Sequence, residues 1–136
     1  WKKSDETNLV FTSDGFFKTG DLGTMDTKGY VKIIDRKKDM INVSGFNVYP
    51  NEVEQVVSSH PNVIECAVVG SLNNKNEEVV KLFVVLQDDV ITKEKLLQFC
   101  KQNLAAYKCP KEIIIKDELP KTNVGKISRK ILREKI

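Results

Sequence analysis

Apolar positions near the start of the chain come in short alternating bursts, "LVFTSDGFF", then the break "TGDLG", then "TMDTKGYVKII". Residues 9–34 therefore read as short strands between turns, with Asp26 to Gly29 supplying turn chemistry before Tyr30, Val31, Lys32 and Ile33 alternate. The pattern then stops at "DRKKD", residues 35–39, five charged residues without an apolar member. Such a run fits a surface linker between two folding units.

Past the linker the periods lengthen. "MINVSGFNVYP" is a pair of short apolar runs around Ser44-Gly45, a dipeptide suited to a hairpin turn because glycine tolerates positive φ. Asn51 can cap a helix with Glu54 as its capping-box partner, and Val53, Val56 and Val57 form one apolar stripe that ends near His60-Pro61. "VIECAVVGSL" and "VVKLFVVLQ" are β-branched strands joined by the polar turn "NNKNEE". Thr92 opens a second helix with Leu96, Leu97, Phe99, Cys100 and Leu104 on one face, "EIIIKDEL" is a third strand, and Ser128 caps a last helix on which Ile127 staples to Leu132 and Arg129, Lys130 and Arg133 face solvent. The predicted fold class is α+β: a small domain with a largely antiparallel sheet flanked by helices and a β-hairpin, preceded by a β-rich remnant of a larger domain. The expected boundaries are 1–37 for that remnant with its linker and 38–136 for the small domain. The chain reads as a fragment of something longer.

Composition narrows the class. At 40% hydrophobic and 30% charged, with no apolar run near the ~20 residues that span a bilayer, this is a globular composition. Cys66, Cys100 and Cys109 are odd in number and without C-x-x-C spacing, which argues against a disulfide framework and for a reducing, cytoplasmic setting. A zinc site would have to recruit His60 from a distant segment; no metal ligand set is predicted. Charge is uneven: residues 108–136 carry nine Lys/Arg against four Asp/Glu, while the rest is slightly acidic. The basic end invites an anion, whether nucleic acid, phosphate or coenzyme.

Three short motifs carry candidate chemistry. In "TGDLG", Asp21 sits on a glycine-flanked turn where a carboxylate can accept both hydroxyls of a ribose, although an ordinary turn aspartate looks the same. Gly125-Lys126 is not a Walker loop, because Pro120 and Ile127 stand where glycine and Ser/Thr are required. The basic terminal helix lacks the interleaved aromatics of a single-strand stacking platform, so no nucleic acid is expected; a small basic module binding RNA or an acidic partner is the alternative reading.

Taken in order, "FKTGDLG", "IIDRKKDMINVSGFNVYPNEVE" and "LPKTNVGKISRK" resemble the C-terminal part of the adenylate-forming enzymes: acyl-CoA synthetases, luciferases and peptide-synthetase adenylation domains. The resemblance runs from Phe16 to the end and is greatest to fatty acyl-CoA ligases. It implies an AMP-forming acid-thiol ligase that uses ATP, Mg2+ and coenzyme A to make an acyl-adenylate and then a thioester of a fatty acid. It also implies a missing N-terminal domain that holds most of the triphosphate and acyl sites, so that the fragment alone is inactive, and it leaves room for peripheral membrane association of the intact enzyme. By the same resemblance Asp21 and Arg36 hold the ribose, Lys38 is the hinge between two half-reactions, Lys126 is the adenylation lysine, and Ser44, Gly45 and Phe46 line the path of the coenzyme A thiol. Asn47 stands where many relatives carry arginine.

Overall fold

In the computed structural model, which describes residues 2–87 and 91–134, the chain divides into two units, Trp1–Lys38 and Asp39–Ile136. In the first unit a six-residue helix, α1 (Ser4–Leu9), precedes a turn in which Thr12 Oγ1 accepts from the Phe16 N–H. "LVFTSDGFF" is thus not a strand pair. Only Phe11 and Phe17 bridge, because the turn at Thr12–Phe16 takes up most of the segment. Strand β1 (Asp21–Met25) runs antiparallel to β2 (Val31–Arg36), and Asp26 Oδ1 accepts from the Lys28 and Tyr30 N–H groups to close the predicted turn. The apparent break "TGDLG" therefore contains the start of a strand. A Cβ at Gly23 would lie 2.9 Å from the Lys32 carbonyl oxygen, which explains glycine beside the bulge there.

The charged run is not a uniformly solvated linker. Asp35 and Arg36 finish β2, residues Lys37–Asp39 make one 3₁₀ turn, and both aspartates are buried. Asp35 turns its carboxylate onto the Arg36 N–H at 2.7 Å; Asp39 is taken up by arginines described below.

The second unit follows the predicted order. A hairpin of β3 (Ile41–Val43) and β4 (Phe46–Val48) leads into α2 (Pro50–Ser58), then β5 (Val63–Leu72), β6 (Glu78–Leu86), α3 (Lys93–Asn103), β7 (Glu112–Ile115) and α4 (Arg129–Glu134). β5 and β6 pair antiparallel over almost their whole length, while β7 adds parallel to β6 after a crossover through α3. Side chains alternate across this sheet. Cys66, Val68, Val80, Leu82 and Val84 join the hairpin, α2 and α3 in one core, and Ala67, Val69, Phe83 and Val85 join Leu119 and Leu132 on the other face. A sheet covered on both faces needs apolar residues at consecutive positions, which is why β5 and β6 read as unbroken runs. Each such Val or Leu contributes roughly 1.5–3 kcal/mol of burial.

Caps are mixed. Thr92 Oγ1 accepts from the Lys95 N–H as predicted, and Ser128 Oγ accepts from Ile131 N–H at 3.4 Å. The Asn51–Glu54 capping box does not form. Pro50 is the first helical residue, Tyr49 the N-cap, and both polar side chains go elsewhere. His60, just past the end of α2, packs edge-on against Phe99 with ring centroids 4.9 Å apart. The three cysteines are free and buried, and burial pushes the Cys100 thiol up to about 11. No helix among the described residues is long and apolar enough to cross a membrane.

Candidate active site

Asp21 and Arg36 are register partners at the open end of the β1–β2 ribbon. The antiparallel pairing puts their side chains opposite one another, with Arg36 Nε 3.7 Å from Asp21 Oδ1, and Lys37 N–H donates to the Gly20 carbonyl at 2.8 Å to hold the two strand ends together. Thr19, Gly20, Arg36, Lys37 and Lys38 line a depression beside this pair. An acceptor pair flanked by a forked cation suits a polar ring substituent next to an anion. Lys38 is the last residue of the first unit and the middle of the 3₁₀ turn.

Ser44 and Gly45 occupy the two central positions of the hairpin turn with φ of 50° and 88°, the geometry of a two-residue primed turn. The turn is held from below. Gly45 N–H donates to Asn42 Oδ1, and Asn42 N–H donates to Glu78 Oε2, each at 2.9 Å. Glu78 reaches Asn42 across Gly70, where any Cβ would collide with its carboxylate. Phe46, more than half exposed, stacks on Tyr107 at 4.7 Å and 24°. Nothing lies within 4 Å of where a Gly45 Cβ would point, so the turn presents bare backbone to open space.

Lys126 stands on a different turn of the same unit. The segment around it is a closed, hydrogen-bonded turn. Thr122 N–H donates to Lys126 O at 2.7 Å, Lys126 N–H to Thr122 Oγ1 at 3.3 Å, and Gly125 N–H to Thr122 O at 2.9 Å. Lys121 and Ile127 bridge below it, and Ser128 N–H donates to Pro120 O. The Lys126 side chain is exposed and makes no ion pair with any described residue. A fixed backbone with a free ammonium on a four-carbon stem is a cation that can be aimed.

The predicted solvent-facing trio on α4 needs correction. Arg129 forks onto Glu54 through Nε at 3.1 Å and Nη2 at 2.6 Å, reaches Asp39 Oδ2 through Nη1 at 3.3 Å, and donates to Asn51 Oδ1 at 2.6 Å. Arg133 donates to the other Asp39 oxygen at 2.5 Å. Only Lys130 is exposed as predicted. Burial pushes the Asp39 carboxyl up, but Arg133 and Arg129 outweigh it and hold the group below its usual range. Glu54 also accepts from Val68 N–H at 2.8 Å, covering a donor on the edge strand β5. Sequence reasoning missed this cluster. The available signal was the polar stripe Asn51, Glu54, Ser58 on α2, whose i, i+3, i+7 spacing places all three beside the apolar stripe, and Ser58 indeed contacts Cys66 Sγ at 3.2 Å. With two of its three arginine and lysine heads neutralised, α4 offers no basic face, and the RNA or acidic-partner reading is not favoured.

Comparison with known proteins gives one family. Residues 52–126, all within the second unit, match the AMP-binding enzyme C-terminal domain. Over 134 residues, 98% of the chain, it is 53% identical to a long-chain-fatty-acid–CoA ligase of Yersinia pestis and 48% identical to that of Haemophilus influenzae, and it spans 24% of the length of each. Among solved structures, ATP-bound MatB from Rhodopseudomonas palustris superposes with a TM-score of 0.93 at 39% identity, covering 99% of this chain and 27% of that one. A Mycobacterium tuberculosis fatty acyl CoA synthetase gives 0.76 at 38%, with the same coverage. The motif order, the fold of the second unit and these likenesses converge, and the chain belongs to the family of AMP-binding enzyme C-terminal domains.

Proposed function

We propose that this chain is the C-terminal part of an AMP-forming fatty acid–CoA ligase, which makes an acyl-adenylate from ATP and a fatty acid and then passes the acyl group to coenzyme A. The observation that carries the reading is identity above one half, along almost the entire chain, to a long-chain-fatty-acid–CoA ligase. The separation of Lys126 and Gly45 onto two turns of one unit supports it, since each half-reaction then has its own turn.

In this reading Asp21 accepts from the ribose hydroxyls and Arg36 stands beside it. Lys126 brings its ammonium between the attacking carboxylate and the α-phosphate, offsetting their repulsion as they close. Rotation about Lys38 then replaces the lysine turn with the hairpin turn, where Ser44, Gly45 and Phe46 line the thiol's approach. In this reading Mg2+ travels with the triphosphate and is held mainly by the larger N-terminal domain of such a ligase. The odd cysteine count supports a cytoplasmic enzyme, and its acyl substrate suits peripheral contact with a membrane.

The test is a full-length protein containing this chain, assayed with ATP, coenzyme A and palmitate. Fatty-acid-dependent release of pyrophosphate and AMP with acyl-CoA formation is expected, and its absence across acids of different length overturns the reading. The isolated chain is expected to release no pyrophosphate.

Gly45→Leu provides a sharper prediction. A side chain at φ 88° costs about 1–2 kcal/mol of backbone strain, and it projects into the space the thiol is proposed to cross. Thioester formation from supplied acyl-adenylate is expected to fall severely while acid-dependent ATP–pyrophosphate exchange persists. Equal loss of both steps removes Gly45 from the thiol path.

A further inference from the structure

The turn bearing Lys126 is held on two sides by ion pairs to different elements. On one side Lys121 Nζ meets Glu65 Oε1 of β5 at 2.6 Å. On the other, three residues beyond Lys126, the Arg129 guanidinium is shared among Glu54 and Asn51 of α2 and Asp39. Asp39 is the residue after Lys38 and the first of the second unit. Its two carboxylate oxygens are divided between Arg129 and Arg133, so the backbone at the start of the unit is tied directly to the turn near its end.

Solvation does not require this arrangement. The same charges on a helix surface would cost nothing to leave in water, whereas burying Asp39 and most of Arg129 carries a desolvation cost that only close, multiple bonds offset. What the cluster adds is stiffness: a planar fork with four recorded bonds fixes the guanidinium in distance and orientation.

We propose that Arg129 is a positioning residue for adenylation, a strut that couples the backbone beside the Lys38 pivot to the turn carrying Lys126, so that the unit in its adenylating orientation holds the ammonium at one place. This rests on the reading of Lys126 as the adenylation cation. A swivelling body places a side chain accurately only if the path from pivot to tip is rigid, and a misplacement of about 1 Å at a reacting centre costs on the order of a hundredfold in rate.

Arg129→Lys in the full-length protein separates the strut from bulk stability. Lysine keeps a cation beside the buried carboxylates but cannot satisfy Glu54 and Asp39 together. Acid-dependent ATP–pyrophosphate exchange is expected to fall about tenfold or more in kcat, with KM for ATP unchanged. Thioester formation from preformed acyl-adenylate is expected to stay within about twofold of wild type. Amide hydrogen exchange at residues 122–126 is expected to quicken while β6 stays protected. Arg133→Lys, which loses only one bond to Asp39, is expected to behave close to wild type. Should the Arg129 variant fail to fold, Glu54→Gln, which keeps one of the two acceptor oxygens and removes the charge, is expected to show the same split in weaker form. Parallel loss of both half-reactions, or an adenylation rate untouched by Arg129→Lys while Lys126→Ala abolishes it, overturns the strut. If Lys126→Ala itself leaves adenylation intact, the underlying reading fails, and the strut with it.

Discussion

Lys126→Ala in the full-length protein is expected to lower acid-dependent ATP–pyrophosphate exchange about a thousandfold, and to leave thioester formation from supplied acyl-adenylate nearly unchanged. The size follows from charge alone. Two anions, the carboxylate and the α-phosphate, must close to bonding distance, and a unit positive charge ~4 Å away at an effective dielectric of ~20 is worth roughly 4 kcal/mol. That corresponds to about three powers of ten in rate. The selectivity follows from geometry. Lys126 sits on a turn of its own, fastened by Thr122 and the Lys121–Ile127 bridge, and the residues assigned to the thiol path sit on the β3–β4 turn. Its backbone is fixed before any substrate arrives, so removing the side chain subtracts a charge and disturbs little else. Rapid-quench measurement of the two half-reactions decides the matter: comparable loss in both assigns Lys126 to the fold or to general binding.

Lys38→Pro carries the other large effect. Lys38 lies in the 3₁₀ turn Lys37–Asp39, at the division between the two units. If one lysine and one glycine turn are to serve the same reaction centre in succession, the second unit has to reorient, and a few backbone dihedrals have to absorb the change. Proline holds φ near −65° and also pushes the preceding residue away from helical values. An orientation that needs another φ there is closed to the proline ring, and a penalty of only ~2.7 kcal/mol already corresponds to a hundredfold loss in rate. Adenylation, which requires no prior rotation, is expected to survive, whereas acyl transfer from preformed adenylate falls. Lys38→Ala, which keeps the dihedral free, retains both. Wild-type acyl transfer in the proline variant would show that the pivot lies elsewhere.

Much of the second unit could be read directly from residue order. β5 and β6 announced themselves as apolar runs because both faces of the sheet are covered, and Ser44-Gly45 declared its turn because only a primed geometry joins strands so tightly. Three misreadings share one cause, the treatment of charge as a local property. Asp39 looked solvated within "DRKKD", Glu54 looked like a capping partner for Asn51, and Arg129 looked like one side of a basic helix. Each assignment was reasonable over a window of a few residues. Asp39 and Glu54 instead each meet Arg129, across separations of 90 and 75 residues, and no window-based pattern reports such a contact. The first unit was harder for a different reason: with little apolar burial of its own, α1 and the Thr12–Phe16 turn leave no periodic trace. Among the site residues, Asp21 and Arg36 could be found as motif members, but their being register partners required the fold.

The joining of Asp39 to Arg129 also bears on synthesis. A chain emerging from the ribosome presents Asp39 and Glu54 long before Arg129 exists, and the contact closes a loop of nearly the whole unit. Until then the buried Asp39 and the partly buried Glu54 have no counter-charge from α4, and a collapsed intermediate would hold Asp39 at a cost of several kcal/mol. The late pairing β6 with β7 is likewise non-local. A chain stopped before Arg129 can still gather the apolar face of α2 into the core, but it leaves Asp39 and Glu54 without the cation that partners them. Addition of α4 supplies the missing positive charge, so the segment that displays Lys126 is tied to the start of the unit only on a chain translated through Arg129.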